Sequence, residues 1–182
     1  AAIPALSGVP VSLHAPDGTE LAVIPLHAGF RDVKLSVVPL KFKKKPKLIK
    51  GANRHEMDPD GGYVVSEERM IEDIRILKEN NFNAVRTCHY PDDERWYALC
   101  DRYGLYLVAE ANIESHGMGY DEKTLAKNPA FARAHLERNQ RNVRRSINHP
   151  SVIIWSLGNE AGDGPNFDAC YDWVKAYDPS RP

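Results

Sequence analysis

"SVIIWSLGNE", Ser151 to Glu160, runs from four apolar residues, Val152 to Trp155, into an asparagine and a carboxylate. A short unbroken apolar run bounded by turn residues reads as a strand buried on both faces, as in parallel sheets. It closes on two groups that are costly to bury. A helix cap or a solvent loop would account for them. So would a strand that aims a proton donor into a cleft.

The same strand-then-helix order recurs upstream. "KLIKGANRH" (47–55) precedes a helix opened by Ser66, Glu67 and Glu68, with Met70, Ile71, Ile74 and Leu77 on one face. "NAVRTCHY" (83–90) precedes a stripe of Trp96, Leu99, Cys100 and Tyr103 that stops at Gly104. "LYLVAEANI" (105–113) leads to a helix that begins near Asn128-Pro129 and ends at "NHP". After Glu160 a fourth helix starts at Pro165 and is expected to bury Phe167, Cys170, Trp173, Val174 and Tyr177. Four strand–helix units imply parallel strands joined by right-handed crossovers. An open doubly wound sheet and a (β/α)8 barrel both fit, and neither GxGxxG nor GxxxxGK[ST] is present to mark a nucleotide cradle.

Either architecture brings ligands to the carboxyl ends of the strands. Those ends carry Asn53 to Glu56, then Arg86 with His89 and Tyr90, then Glu110, Asn112, Glu114 and His116, then Asn159 and Glu160. Polar residues are commonplace in loops, but four such ends on one rim point to a functional site. Glu160, at the lip of an apolar strand, is expected to be partly desolvated, which disfavours its anion and suits a general acid. Asn159 can hydrogen-bond a substrate hydroxyl or merely form a turn. Glu114 and His116 face the same side in extended chain and could help hold a hard divalent cation. His55, His89 and Arg86 could clamp hydroxyls, or each could satisfy a buried carbonyl.

The chain has 182 residues, 42% hydrophobic and 27% charged, with a formal net charge of −1. No global field favours nucleic acid or a membrane surface, and no apolar run reaches the ~20 residues of a membrane span. "KFKKKPK" (41–47) reads as a solvated hairpin turn. Cys88, Cys100 and Cys170 lie far apart and form no CxxC pair, so reduced core thiols and a cytoplasmic setting are expected. Residues 1–47 read as short strands, with Asp17-Gly18 as a two-residue hairpin signal. Both ends read as interruptions of a longer polypeptide.

From about Gly29 to Pro182, "IKGANRHEMDPDGG", "NFNAVRTCHYPDDERWYALCDRYGLYLVAEANIESHGM" and "NHPSVIIWSLGNEAG" resemble the central domain of β-galactosidases of glycoside hydrolase family 2. The resemblance implies the barrel: residues 47–182 as its first four βα units, and 1–46 as the end of an immunoglobulin-like β-sandwich with a linker hairpin. It implies that Glu160 is the general acid/base and that Asn159 meets the sugar's 2-hydroxyl. His55, His89 and Arg86 would line the galactose pocket. Glu114, His116 and Glu160 would hold Mg2+, while Na+ ligands and the nucleophilic glutamate would lie outside these residues. The "ESHG" stretch favours β-galactosides over β-glucuronides and β-mannosides. A homo-oligomeric parent is implied, and the unpaired edges of a half barrel invite self-association.

Overall fold

The chain is seen here as a computed structural model that describes residues 6–29, 33–34, 41–42, 45–46 and 48–182. It opens with an antiparallel hairpin of β1 (Leu6–His14) and β2 (Glu20–Gly29), paired along most of their length. The expected two-residue turn is instead a five-residue connection, because His14 pairs with Glu20. Asp17 Oδ1 accepts the Thr19 N–H at 2.9 Å and Ala15 N donates to Thr19 O at 2.8 Å, so the loop supplies its own hydrogen bonds. Both hairpin faces are open, and Leu13, Leu21 and Ile24 are each more than half exposed.

Three two-residue strands follow, β3 (Val33–Lys34), β4 (Lys41–Phe42) and β5 (Lys45–Pro46), paired antiparallel in that order. Within the Lys-rich stretch, Lys41 thus pairs with Pro46 and Phe42 with Lys45. The rest of "FRDVKLSVV" and the solvation of the lysines lie outside the described residues.

The remainder alternates β6 (Gly51–Arg54), α1 (Glu67–Glu79), β7 (Ala84–Thr87), α2 (Glu94–Tyr103), β8 (Tyr106–Glu110), α3 (Ala132–Ser146), β9 (Val152–Ser156) and α4 (Pro165–Tyr177). The helix starts obey local chemistry. Ser66 Oγ accepts the Arg69 N–H at 3.2 Å, and Asn128 Oδ1 accepts from Ala130 at 3.0 Å ahead of a 3-10 turn, Pro129–Phe131, that feeds α3. The strands pair in parallel in the order β6-β7-β8-β9, with no strand displaced. Right-handed crossovers between strands in sequence order put every helix on one face, as in a barrel; a doubly wound sheet must reverse its order to cover both. Four of a barrel's eight units are present.

The helix-facing side is the core. Val85, Leu107, Ala109 and Trp155 pack with Met70 and Ile74 of α1, Trp96 and Cys100 of α2, Val143 of α3 and Val174 of α4. Each large side chain buried this way contributes about 1.5–3 kcal/mol. Tyr177, expected inside, is instead 47% exposed and stacked on Trp173 with ring centroids 4.7 Å apart. No helix among the described residues is long and apolar enough to cross a membrane.

Candidate active site

Parallel register sets Arg86 beside Val108 and Glu110 beside Ser156. Period-two alternation then turns Arg86, Cys88, Glu110 and Ser156 to the face opposite the helices. On that face Glu110 is fully buried. Its Oε2 accepts from Arg86 Nε at 2.6 Å and from Ser156 Oγ at 2.5 Å, and its Oε1 accepts from His89 Nδ1 at 2.7 Å. A buried carboxylate is costly unless several donors surround it. These three meet that need, and in doing so they fix Arg86 and His89. With His89 Nδ1 turned to this carboxylate, Nε2 is the ring nitrogen that faces away from it.

Arg86 continues the chain of bonds. Its Nη2 donates to Asn159 Oδ1 at 2.8 Å, and Asn159 Nδ2 donates to Glu114 Oε1 at 3.0 Å. The amide keeps one N–H and one oxygen lone pair for a ligand. Asn159 reaches this position because the β8–β9 ladder extends beyond the strands: its N–H donates to Ile113 O at 2.8 Å, and Glu114 bridges to Asn159. Gly158 permits the approach, since a Cβ there would lie 2.8 Å from Ile113 O and 3.0 Å from Ile113 Cβ.

Glu160 follows with φ of 41°, left-handed backbone that a non-glycine residue seldom adopts without a constraint. Its Oε2 accepts from Tyr120 Oη at 3.3 Å and lies 3.5 Å from His116 Nδ1, which is 3.7 Å from Glu114 Oε1. Among the described residues Glu160 is not desolvated as expected: its side chain is 58% exposed on this half of the barrel. Desolvation, and then the Glu160 charge, raise the pKa of the Tyr120 hydroxyl.

Glu114, His116 and Glu160 together offer two carboxylates and one imidazole. That donor set suits a hard cation that retains waters. The three groups fit in chemistry, and all three are exposed enough to rotate onto an ion.

His55 and His89 meet edge to face, ring centroids 5.4 Å apart. His55 Nδ1 lies 3.4 Å from the Tyr90 hydroxyl, which also accepts the Glu56 N–H at 3.2 Å. Just before His55, Arg54 ties β6 to the helices: Nε donates to Asp73 at 2.9 Å, Nη1 to Asp92 at 2.8 Å, and the guanidinium lies 3.9 Å from the Trp96 ring centroid. All seven residues singled out from the sequence sit at this rim. Sequence reasoning gave Glu110 no role beyond its place at a strand end, and it overlooked Ser156 and Tyr120. A carboxylate closing a buried strand was the available signal.

A family model described as "Glycosyl hydrolases family 2, TIM barrel domain" matches residues 33–182. The chain belongs to glycosyl hydrolase family 2. Among solved structures it is similar to the β-glucuronidase of Ruminococcus gnavus in complex with D-glucuronic acid, at 27% identity and a TM-score of 0.82. The β-D-glucuronidase of Dictyoglomus thermophilum is alike at 28% identity and a TM-score of 0.82. Either alignment covers 97% of this chain but only 30% and 32% of those proteins, so the family 2 chain spans about a third of their length. These findings show the family and the partial barrel; the solved relatives are β-glucuronidases, and the β-galactoside preference is not shown.

Proposed function

We propose that this chain supplies the acid/base half of a retaining glycoside hydrolase that releases terminal β-D-galactose, with Glu160 as the proton donor. The observation that carries the reading is the convergence, at one set of strand ends, of the Glu160 carboxyl, the Asn159 amide and the His55–His89 wall. An exposed carboxyl at the rim can reach the glycosidic oxygen, protonate it as the bond breaks, and later take a proton from water. Asn159, held by Arg86 and Glu114, presents its spare N–H and lone pair to a sugar hydroxyl. His89 Nε2 and His55 can accept from others. Retention needs a second carboxylate about 5–5.5 Å from the first, which another part of the barrel is expected to provide. Mg2+ held by Glu114, His116 and Glu160 would add positive charge beside the donor.

A neutral sugar suits this rim. Glu114 and Glu160 present exposed carboxylates on it, and Arg86 is already bonded to Glu110 and Asn159. Among the described residues of the rim, a uronate carboxylate finds no uncommitted arginine. The second reading, a β-glucuronidase, is favoured by the solved relatives. Aryl β-galactoside, β-glucuronide and β-mannoside, offered to the full-length protein, separate the two. Glu160→Gln is expected to lower turnover on poorly activated galactosides about 10²–10⁴-fold while sparing substrates with good leaving groups. A uniform loss across leaving groups, or no loss, refutes the role.

A further inference from the structure

Among the described residues, one group of metal-binding side chains draws its donor atoms within 4.8 Å of one another: His55, Cys88 and His89. Cys88 follows Arg86 by two residues, so its Sγ points to the same inner face, beneath the two imidazoles. The thiol is fully buried, whereas His55 is exposed and His89 half-buried. A ligand would therefore enter between the rings and meet sulfur at the bottom.

We propose that His55, Cys88 and His89 form a site for a thiophilic divalent cation such as Zn2+, distinct from the hard-cation donors Glu114, His116 and Glu160. Zn2+ accepts two imidazole nitrogens at about 2.0–2.1 Å and a thiolate at about 2.3 Å in tetrahedral geometry. The donors already lie within 4.8 Å of one another, and side-chain rotation can draw them closer to make those bonds. The surroundings already prepare one ligand. Glu110 binds His89 Nδ1 and leaves Nε2 to coordinate, the carboxylate–histidine pairing that orients and strengthens metal-binding imidazoles. His55 Nδ1 lies 3.4 Å from the Tyr90 hydroxyl, which can accept its N–H and so leave Nε2 for the ion. On binding, the Cys88 thiol gives its proton to solvent as the sulfur–metal bond forms, and water fills the fourth position. An ion here occupies the same hollow as the proposed sugar site. The metal site itself stands without that reading; only the expectation that Zn2+ competes with sugar rests on it.

Co2+ tests the site optically, since it accepts the same ligands and a thiolate–Co2+ bond absorbs in the near ultraviolet. Titration of the full-length protein is expected to give this band at one equivalent of Co2+. Zn2+ should abolish it, and a large excess of Mg2+ should leave it intact. Cys88→Ser should remove the band, and His55→Ala, at an exposed position, should weaken Co2+ binding about tenfold or more, worth ~1.4 kcal/mol. Absence of the band in the unmodified protein, or its survival in Cys88→Ser, overturns the proposal. If the band forms and Zn2+ leaves galactoside turnover unchanged, the metal site stands and the sugar-site reading falls.

Discussion

Glu110→Gln tests whether the inner face is organised around one buried carboxylate. The substitution keeps the volume but removes the charge that accepts from Arg86, His89 and Ser156. It also turns an amide N–H₂ toward groups that are themselves donors. Removing one partner of a buried ion pair costs about 3–5 kcal/mol. Arg86 retains its bond to Asn159 and is 28% exposed, which argues for the lower end, about 3 kcal/mol. With a urea m-value of about 2–3 kcal/mol/M, the midpoint should fall by roughly 1 M, read from the fluorescence of Trp96, Trp155 and Trp173. Arg86→Met alone should cost a similar amount, by leaving the carboxylate buried without its cation. The double variant should recover part of the loss, because it removes both charges. A cost below about 1 kcal/mol for Glu110→Gln, or a double variant as unstable as the sum of the singles, refutes this account.

Asp92 should make stability depend on pH. Burial pushes its pKa up to about 7, ahead of the lowering by Arg54, and its Oδ1 has no hydrogen-bond partner. The folded state thus holds a proton that the unfolded chain releases near pH 4. Stability should fall as pH rises from about 4 to about 7, by at most about 1.4 kcal/mol per pH unit, and denaturation of Asp92→Asn across that range should show a flatter profile. Gly162, at φ 71°, lies where an added Cβ would collide with Thr124; Gly162→Ala should cost about 1–2 kcal/mol and lower the melting temperature by about 4 °C. If Glu114, His116 and Glu160 hold Mg2+, His116→Ala in the full-length enzyme should raise the Mg2+ needed for half-maximal turnover about tenfold, or ~1.4 kcal/mol; an unchanged requirement removes His116 from the ligand set.

The alternation of strands and helices was legible because its signals are local. Ser66 caps a helix by accepting from a residue three positions on, and the stripe from Trp96 to Tyr103 repeats within its own helix. What was missed depends on neighbours that local pattern does not name. Asp17-Gly18 suggested a tight turn, but the partner chosen by His14 set the loop length. The inner network is the extreme case. Glu110 meets Ser156 across 46 residues, and Arg86 meets Asn159 across 73. Only strand register brings such pairs together. The dependence also runs the other way. A one-residue slip of β8 against β7 would exchange Glu110 for Ala109 on the inner face, leaving Arg86 without its carboxylate and moving a charge into the helix-facing core. Hydrophobic alternation along Leu107, Val108 and Ala109 opposes that slip only weakly, since all three are apolar. The polar hub at the strand ends therefore penalises the wrong register more strongly than the apolar residues do, and the groups that organise the rim also help to specify the sheet beneath it.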